Sequence, residues 1–257
     1  CLAAVLDRQP ASTTAVRLLG NILLRRNHVM EGIRREEAYL KHRPQDAEII
    51  AQLSTFYTLA GDIENAVSCL RKAIHLKPDN PYYLSALINV MTASDRVSDD
   101  RLFETACSWD SIFGDNPKIL PLHFDNSRDP DRQLRLGIIS RTFNEHTTAT
   151  LMLPLLEGLR HRFHLTLYDD NIIRDRINVR FRKLAHSWRN TAQLHDVEAA
   201  ATIRADSTDI LLDISGHFDL GRPQILRHKP APVQVHYYGS ACSLGLSAVD
   251  YRISDAV

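Results

Sequence analysis

Pro10, Pro44 and Pro78 stand thirty-four residues apart, and no feature of the chain restricts its fold more. Self-similarity at such a period marks stacked supersecondary units, each unable to bury its apolar face alone. The best unit is residues 47–80. There Ile50, Leu53, Tyr57, Ala66, Leu70 and Ala73 fall at helical spacing, Gly61 allows a turn between two helices, and Pro78 stops the second. Ala66 and Ala73 are small where two helices must approach closely. Residues 13–46 repeat the register with Val16, Leu19, Gly20, Leu23 and Pro44 in place, and with Glu36 where an apolar residue is expected. Residues 1–12 read as the last helix of a further unit. The chain opens on Cys1 rather than Met, which suggests a piece of something longer.

The pattern in 47–80 matches the tetratricopeptide motif position by position, from the large residue and Leu of its first helix to the closing Pro. After Pro81 the repeat decays. Residues 82–91 still read as a first helix, 94–100 form a polar break, and 100–113 form a helix of different spacing. Pro117, Pro121, Pro130 and the polar run FDNSRDPDRQ mark a boundary. The expected domains are therefore repeats and connector helices over 1–114, a linker over 115–133, and a second domain over 134–257.

That second domain opens with LRLGIIS (134–140), a β-type run followed by a loop and an apolar helical pattern through Leu151, Leu155, Leu156 and Leu159. Further strands are expected over 163–168, 209–214 and 233–238. The helices expected between them are the basic amphipathic 173–185, then 197–205 and the short 223–227. Strands alternating with helices imply a parallel sheet with right-handed crossovers. The fold class is thus a tetratricopeptide α-solenoid followed by a Rossmann-like parallel α/β lobe. No GxGxxG follows the first strand, so the dinucleotide fingerprint is absent. The richest stretch is 209–255, where two strands empty into loops of Gly, Ser and His, the carboxyl-edge position at which such sheets keep their ligands.

Composition narrows the function class. A formal net charge of zero gives no bulk attraction to nucleic acid or membrane, and neither is expected as a partner. Cys1, Cys69, Cys107 and Cys242 lack CxxC or metal-ligand spacing, so they read as free thiols in a reducing, cytoplasmic setting, with no metal site.

Four segments together resemble a known family: LRLGIIS with His146 six residues beyond Ser140, then RADSTDILLDISGH, then KPAPVQVHYYG, then GLSAVDYRISD. They are similar to the amino-terminal catalytic lobe of the protein O-linked N-acetylglucosamine transferases, including bacterial and Spindly-like members, in which helical repeats precede such a lobe. The resemblance implies an inverting transfer of sugar from a nucleotide sugar, UDP-GlcNAc or another, to Ser or Thr hydroxyls, without metal or cofactor. It implies that acceptor polypeptides lie in the repeat groove, and that a second lobe supplying most nucleotide contacts follows Val257. This stretch alone is therefore expected to show no turnover. Two alternatives stay open: a repeat adaptor with a degenerate lobe, and an O-fucosyltransferase of Spindly-like type.

By the same resemblance His146 occupies the position of the family's catalytic histidine, where an imidazole suits orienting or activating a hydroxyl. The rival reading is a histidine that caps the following helix. Ser215, Gly216 and His217 are expected at the sugar, with Gly216 permitting the sharp exit from the strand. Phe218 stands where the family has a sugar-contacting Thr. Tyr238 and Gly239 are expected to lay their backbone against the donor sugar. Cys242 replaces a family Gly, at a cost of roughly 1 kcal/mol if its φ were positive. A nucleophilic role for Cys242 lacks a positioned base. Asp213, Asp219 and Asp250 could suggest a hydrolytic carboxylate pair, but Asp213 reads as a strand end bonded to backbone and Asp250 as a cap. The basic helix reads as a solvated face, with phosphate contact as the rival.

Overall fold

The computed structural model describes residues 12–113, 123–218, 221–237, 239 and 242–254. The helix expected over 1–12 lies almost wholly outside the described residues. The chain divides into two compact units, 1–102 and 103–257. Among the described residues no helix is long and apolar enough to cross a membrane.

The first unit holds helices α1 (Thr13–Arg25), α2 (Val29–Leu40), α3 (Ala47–Leu59), α4 (Ile63–Leu76) and α5 (Pro81–Met91). Thr13, Ala47 and Pro81 open helices thirty-four residues apart, and so do Val29 and Ile63. Each helix packs on the one before it, and α1 also reaches α3. Short polar side chains cap the last three: Asp46 accepts from the Ile49 amide at 3.3 Å, Asp62 from Asn65 at 3.2 Å and Asn80 from Tyr82 at 3.0 Å. Ala66 and Ala73 are fully buried, as close helix approach requires, and Gly61 makes its turn with φ of 79°. Glu36 is the exception to this apolar interior. It is fully buried on α2, neither carboxylate oxygen has a hydrogen-bond partner among the described residues, and burial pushes its pKa up to about 9.

Helix α6 (Asp99–Phe113) was expected to belong with the repeats, yet from Phe103 onward it groups with the second unit. The reason is Trp109, fully buried against the ring of His217 with centroids 5.9 Å apart. Nor are residues 123–133 a loose tether. Asp209 receives two bonds of 2.6 Å from the Arg132 guanidinium, one of 2.6 Å from the Asn126 amide and one of 2.8 Å from the Arg135 backbone.

The sheet comprises β1 (Arg135–Ser140), β2 (His164–Asp169), β3 (Ser187–Asn190), β4 (Ile210–Asp213), β5 (Val233–Tyr237) and β6 (Tyr251–Ile253). All pair in parallel, in the order β3-β2-β1-β4-β5-β6. Helices α7 (Thr147–Leu159), α8 (Arg176–Leu184), α9 (Asp196–Ala205) and α10 (Pro223–Arg227) fill the crossovers. Because helices cover the sheet, β1 and β2 are buried along almost their whole length and read as apolar runs. Ile138, Leu165 and Leu167 pack with Met152 and Leu156 of α7 and Phe181 of α8 in one core. The edge strands β3 and β6 were not expected. They are four and three residues long, and none of their residues is buried, so neither carries the apolar run that betrays a central strand.

Candidate active site at the switch point of the sheet

In a doubly wound sheet the crevice opens at the carboxyl edge, where strand order reverses. Here that point lies between β1 and β4, and the segments leaving them carry most of the expected site residues. Hydroxyl groups join the two exits. Ser140 Oγ lies 2.8 Å from Thr142 Oγ1 and 3.3 Å from Ser215 Oγ, while the Arg141 amide donates to Ser215 Oγ at 3.2 Å.

Asp213 ends β4 and shapes its exit. Its carboxylate accepts from the amides of Ser215 at 3.2 Å and Gly216 at 2.8 Å, and from the ring of His236 at 2.9 Å. The structure thus uses Asp213 for backbone, as a strand end should, and not in a hydrolytic pair. Gly216 takes φ of 58°, a region open to Gly at little cost. Gly239 meets a packing need. A Cβ there would strike the Ile214 carbonyl and the Ser215 backbone, so its bareness lets the β5 exit lie directly on the β4 exit. Tyr238 lies outside the described residues.

His217 was expected to reach the sugar, but its ring turns inward. It is 3% exposed, donates from Nε2 to the Leu244 carbonyl at 3.0 Å and leans on Trp109. Burial lowers its pKa to about 4, so the ring is neutral at physiological pH. Its contribution is to tie the segment around Leu244 to α6. That tie is doubled by Asp110, which accepts from the Ser247 amide at 3.0 Å and from Arg227 at 3.1 Å. Phe218 is exposed. Cys242 is buried, and the left-handed residue of its segment is Gly245, with φ of 66°, so the strain expected at Cys242 does not arise. Asp250 caps no helix. It takes the Lys229 ammonium at 2.5 Å and the Gln234 amide at 2.7 Å, fastening the approach to β6 onto β5.

His146 is the N-cap of α7. Its Nδ1 accepts from the Thr148 amide at 3.2 Å and lies 2.8 Å from Thr148 Oγ1. Because an amide can only donate, Nδ1 is the acceptor and the neutral ring carries its proton on Nε2. As the cap stands, the ring can donate from Nε2, but it can accept a proton there only after giving up the Thr148 amide. It lines a cleft of about 420 Å³ between α7 and α8, with Glu145, Leu153, Ile177 and Arg180.

Sequence reasoning passed over Arg222, whose side chain is 9% exposed. It bonds Asp170 at 2.7 Å, Asp196 at 2.8 Å and the carbonyls of Thr191 at 3.2 Å and Leu194 at 2.7 Å. This anchors the far end of the segment that begins at Ser215, and no local signal reveals it because every partner is distant in sequence. Asp169, at the end of β2, is fully buried. Burial raises its pKa to about 6 against the pull of Arg174 at 2.8 Å.

A wholly parallel sheet of this order, with its polar loops at the carboxyl edge, defines a Rossmann-like α/β lobe. The chain belongs to Glycosyl transferase family 41, whose pattern matches residues 118–257. It is similar to the "Probable UDP-N-acetylglucosamine--peptide N-acetylglucosaminyltransferase SPINDLY" of Arabidopsis thaliana, with 30% identity over 62% of this chain and 18% of that one. The UDP-N-acetylglucosamine--peptide N-acetylglucosaminyltransferase of Caenorhabditis elegans is 30% identical over 49% of this chain and 11% of its own. A mutant of the Thermobaculum terrenum O-GlcNAc transferase superposes with a TM-score of 0.90 at 25% identity, over 99% of this chain and 49% of that one. This chain therefore spans less than a fifth of those two relatives and about half of the solved chain.

Proposed function

We propose that the protein takes part in transferring a sugar, N-acetylglucosamine by preference, from a nucleotide donor to Ser or Thr hydroxyls of proteins. The observation that carries the reading is the joined exit of β1, β4 and β5. Two segments stitched by Ser140 and Ser215, and a third laid on them at Gly239, offer backbone and hydroxyl groups at the position where such sheets hold nucleotides. Family membership supports the same reaction class.

In this reading the helices of the first unit are tetratricopeptide repeats, supported by their thirty-four-residue spacing, and their groove guides an extended acceptor. Ser215 and Gly216 face the donor, His217 and Arg222 hold their segment in place, and the Nε2–H of His146 orients an oxygen of acceptor or donor. No metal enters the scheme. A second reading, an adaptor without transfer, draws on the exposed phenyl ring of Phe218 where the resemblance calls for a hydroxyl.

Calorimetric titration of UDP-GlcNAc, GDP-fucose and UDP into the full gene product, beside radiolabel transfer to a Ser/Thr peptide, decides between them. Binding and transfer with UDP-GlcNAc support the first reading. Peptide binding with neither donor nor transfer supports the adaptor.

A further inference from the structure

The second unit pairs many of its basic side chains. Arg132, Arg174, Arg176, Arg189, Arg222, Arg227 and Lys229 each meet a carboxylate within 4 Å. Among the described residues a separate group is left without one. Its members come from two short stretches, RHRFH (160–164) and RKLAH (182–186), each at the connection between a helix and the parallel strand that follows it. Because β2 and β3 are neighbours, the two stretches meet at the amino edge of the sheet, the edge opposite the candidate active site.

Side-chain geometry shows the meeting. The rings of His164 and His186 stack with centroids 5.0 Å apart and planes at 29°. His186 Nδ1 accepts from the Leu165 amide at 3.0 Å, so its other nitrogen carries the proton. The His186 pKa is lowered, first by burial and then by the nearby charges of His164, Arg160 and His161. Arg182 lies over Trp188 at 5.3 Å, and His161, Arg162, Lys183 and His186 are exposed. The acidic residue nearest in sequence, Glu157 on α7, forms no ion pair among the described residues. Basic side chains at a helix end complement the backbone carbonyls there, which accounts for one or two of them. It does not account for four permanent cations and three imidazoles gathered around two helix-to-strand connections.

We propose that this edge of the sheet is a docking site for an acidic segment of a polypeptide, Glu- or Asp-rich, held chiefly by Arg160, Arg162, Arg182 and Lys183. Charge complementarity selects the partner. A long polyanion or an anionic membrane would extend past the patch onto a chain whose formal net charge is zero, whereas a short acidic peptide matches its extent. Arg182 covers Trp188, the indole at this edge, and no large exposed apolar side chain lies in 160–164 or 182–186 to enter a bilayer.

The site is distinct from the proposed donor crevice, and direct binding reads it whether or not sugar is transferred. A fluorescent deca-glutamate peptide is titrated into the full 257-residue chain at low ionic strength, with anisotropy as the signal. The peptide should bind about tenfold more weakly to an Arg160→Gln/Arg162→Gln/Lys183→Gln variant, as expected for loss of several surface ion pairs. An Arg176→Gln control, whose charge Glu145 already holds at 3.0 Å, should bind as wild type does. Should Arg160→Gln lower the melting midpoint, the exposed pair Arg162→Gln/Lys183→Gln carries the same test. Equal affinity in the charge variants overturns the proposal. So does tighter binding of a single-stranded oligonucleotide or of phosphatidylserine vesicles than of the peptide.

Discussion

Replacing Glu36 with Gln should stabilise the helical unit at neutral pH and remove most of its dependence on pH. Both Glu36 oxygens are out of water and without partners among the described residues, and Glu36 Oε1 shares with Gln52 Oε1 the space over the bare Cα of Gly20. Burial lifts the carboxyl from 4.5 to about 9. A group whose folded pKa exceeds its unfolded one contributes stability that is complete below pH 4.5 and is lost as pH rises through about 9. Between those limits unfolding releases a proton, and each pH unit lowers the stability of the unit by about 1.4 kcal/mol. At pH 7 the accumulated loss is about 3 kcal/mol. Glutamine keeps the shape and binds no proton, so Glu36→Gln should gain about that amount at pH 7 and almost nothing at pH 4.5. Urea unfolding at pH 5, 7 and 8.5, followed by far-ultraviolet circular dichroism, reads the helices. Both tryptophans, Trp109 and Trp188, lie in the other unit, so their fluorescence follows that unit separately. Parallel pH slopes for wild type and variant in the helical transition would refute the reasoning, since Glu36 would then be neither isolated nor protonated.

Three further outcomes are expected. Ala66→Leu should overpack the fully buried face of α4 and cost about 1–3 kcal/mol in the helical transition, whereas an unchanged midpoint would place Ala66 away from any close crossing. Gly239→Ala should lower the melting midpoint of the second unit and weaken donor binding together, because its methyl group displaces the Ile214–Ser215 backbone; wild-type stability would mean that the two exits do not touch. His146→Ala should cost about 1 kcal/mol by uncapping α7, and His146→Asn should restore that stability. Transfer by the full gene product should stay about 10²-fold down in both variants if Nε2–H orients a reactant, and recovery in the Asn variant would leave His146 a cap alone.

The central strands were legible because burial on both faces writes an apolar run directly into the sequence, and β1, β2, β4 and β5 fall within a residue or two of their expected places. The short edge strands were not, since Ser187–Asn190 and Tyr251–Ile253 are defined by the neighbour they pair with and not by their own composition. The same distinction runs through the site. The positive φ of Gly216 could be anticipated from a strand exit, which is local. The inward turn of His217 depends on Trp109, more than a hundred residues earlier, and the role of Gly239 depends on backbone from another strand. The attachment of α6 to the second unit escaped notice for the same reason, since Asp110 finds Arg227 and Ser247 only in the folded protein.

The proposed function stands or falls on where a nucleotide sugar binds. Amide hydrogen exchange of the full gene product, with and without saturating UDP-GlcNAc, locates it directly. The account predicts slowed exchange in the segments that follow β1, β4 and β5, around Arg141, Ser215, Gly216 and Gly239, with no change near His164 and His186 at the opposite edge. Slowed exchange confined to that opposite edge, or none in the three segments at a donor concentration that supports transfer, would contradict it.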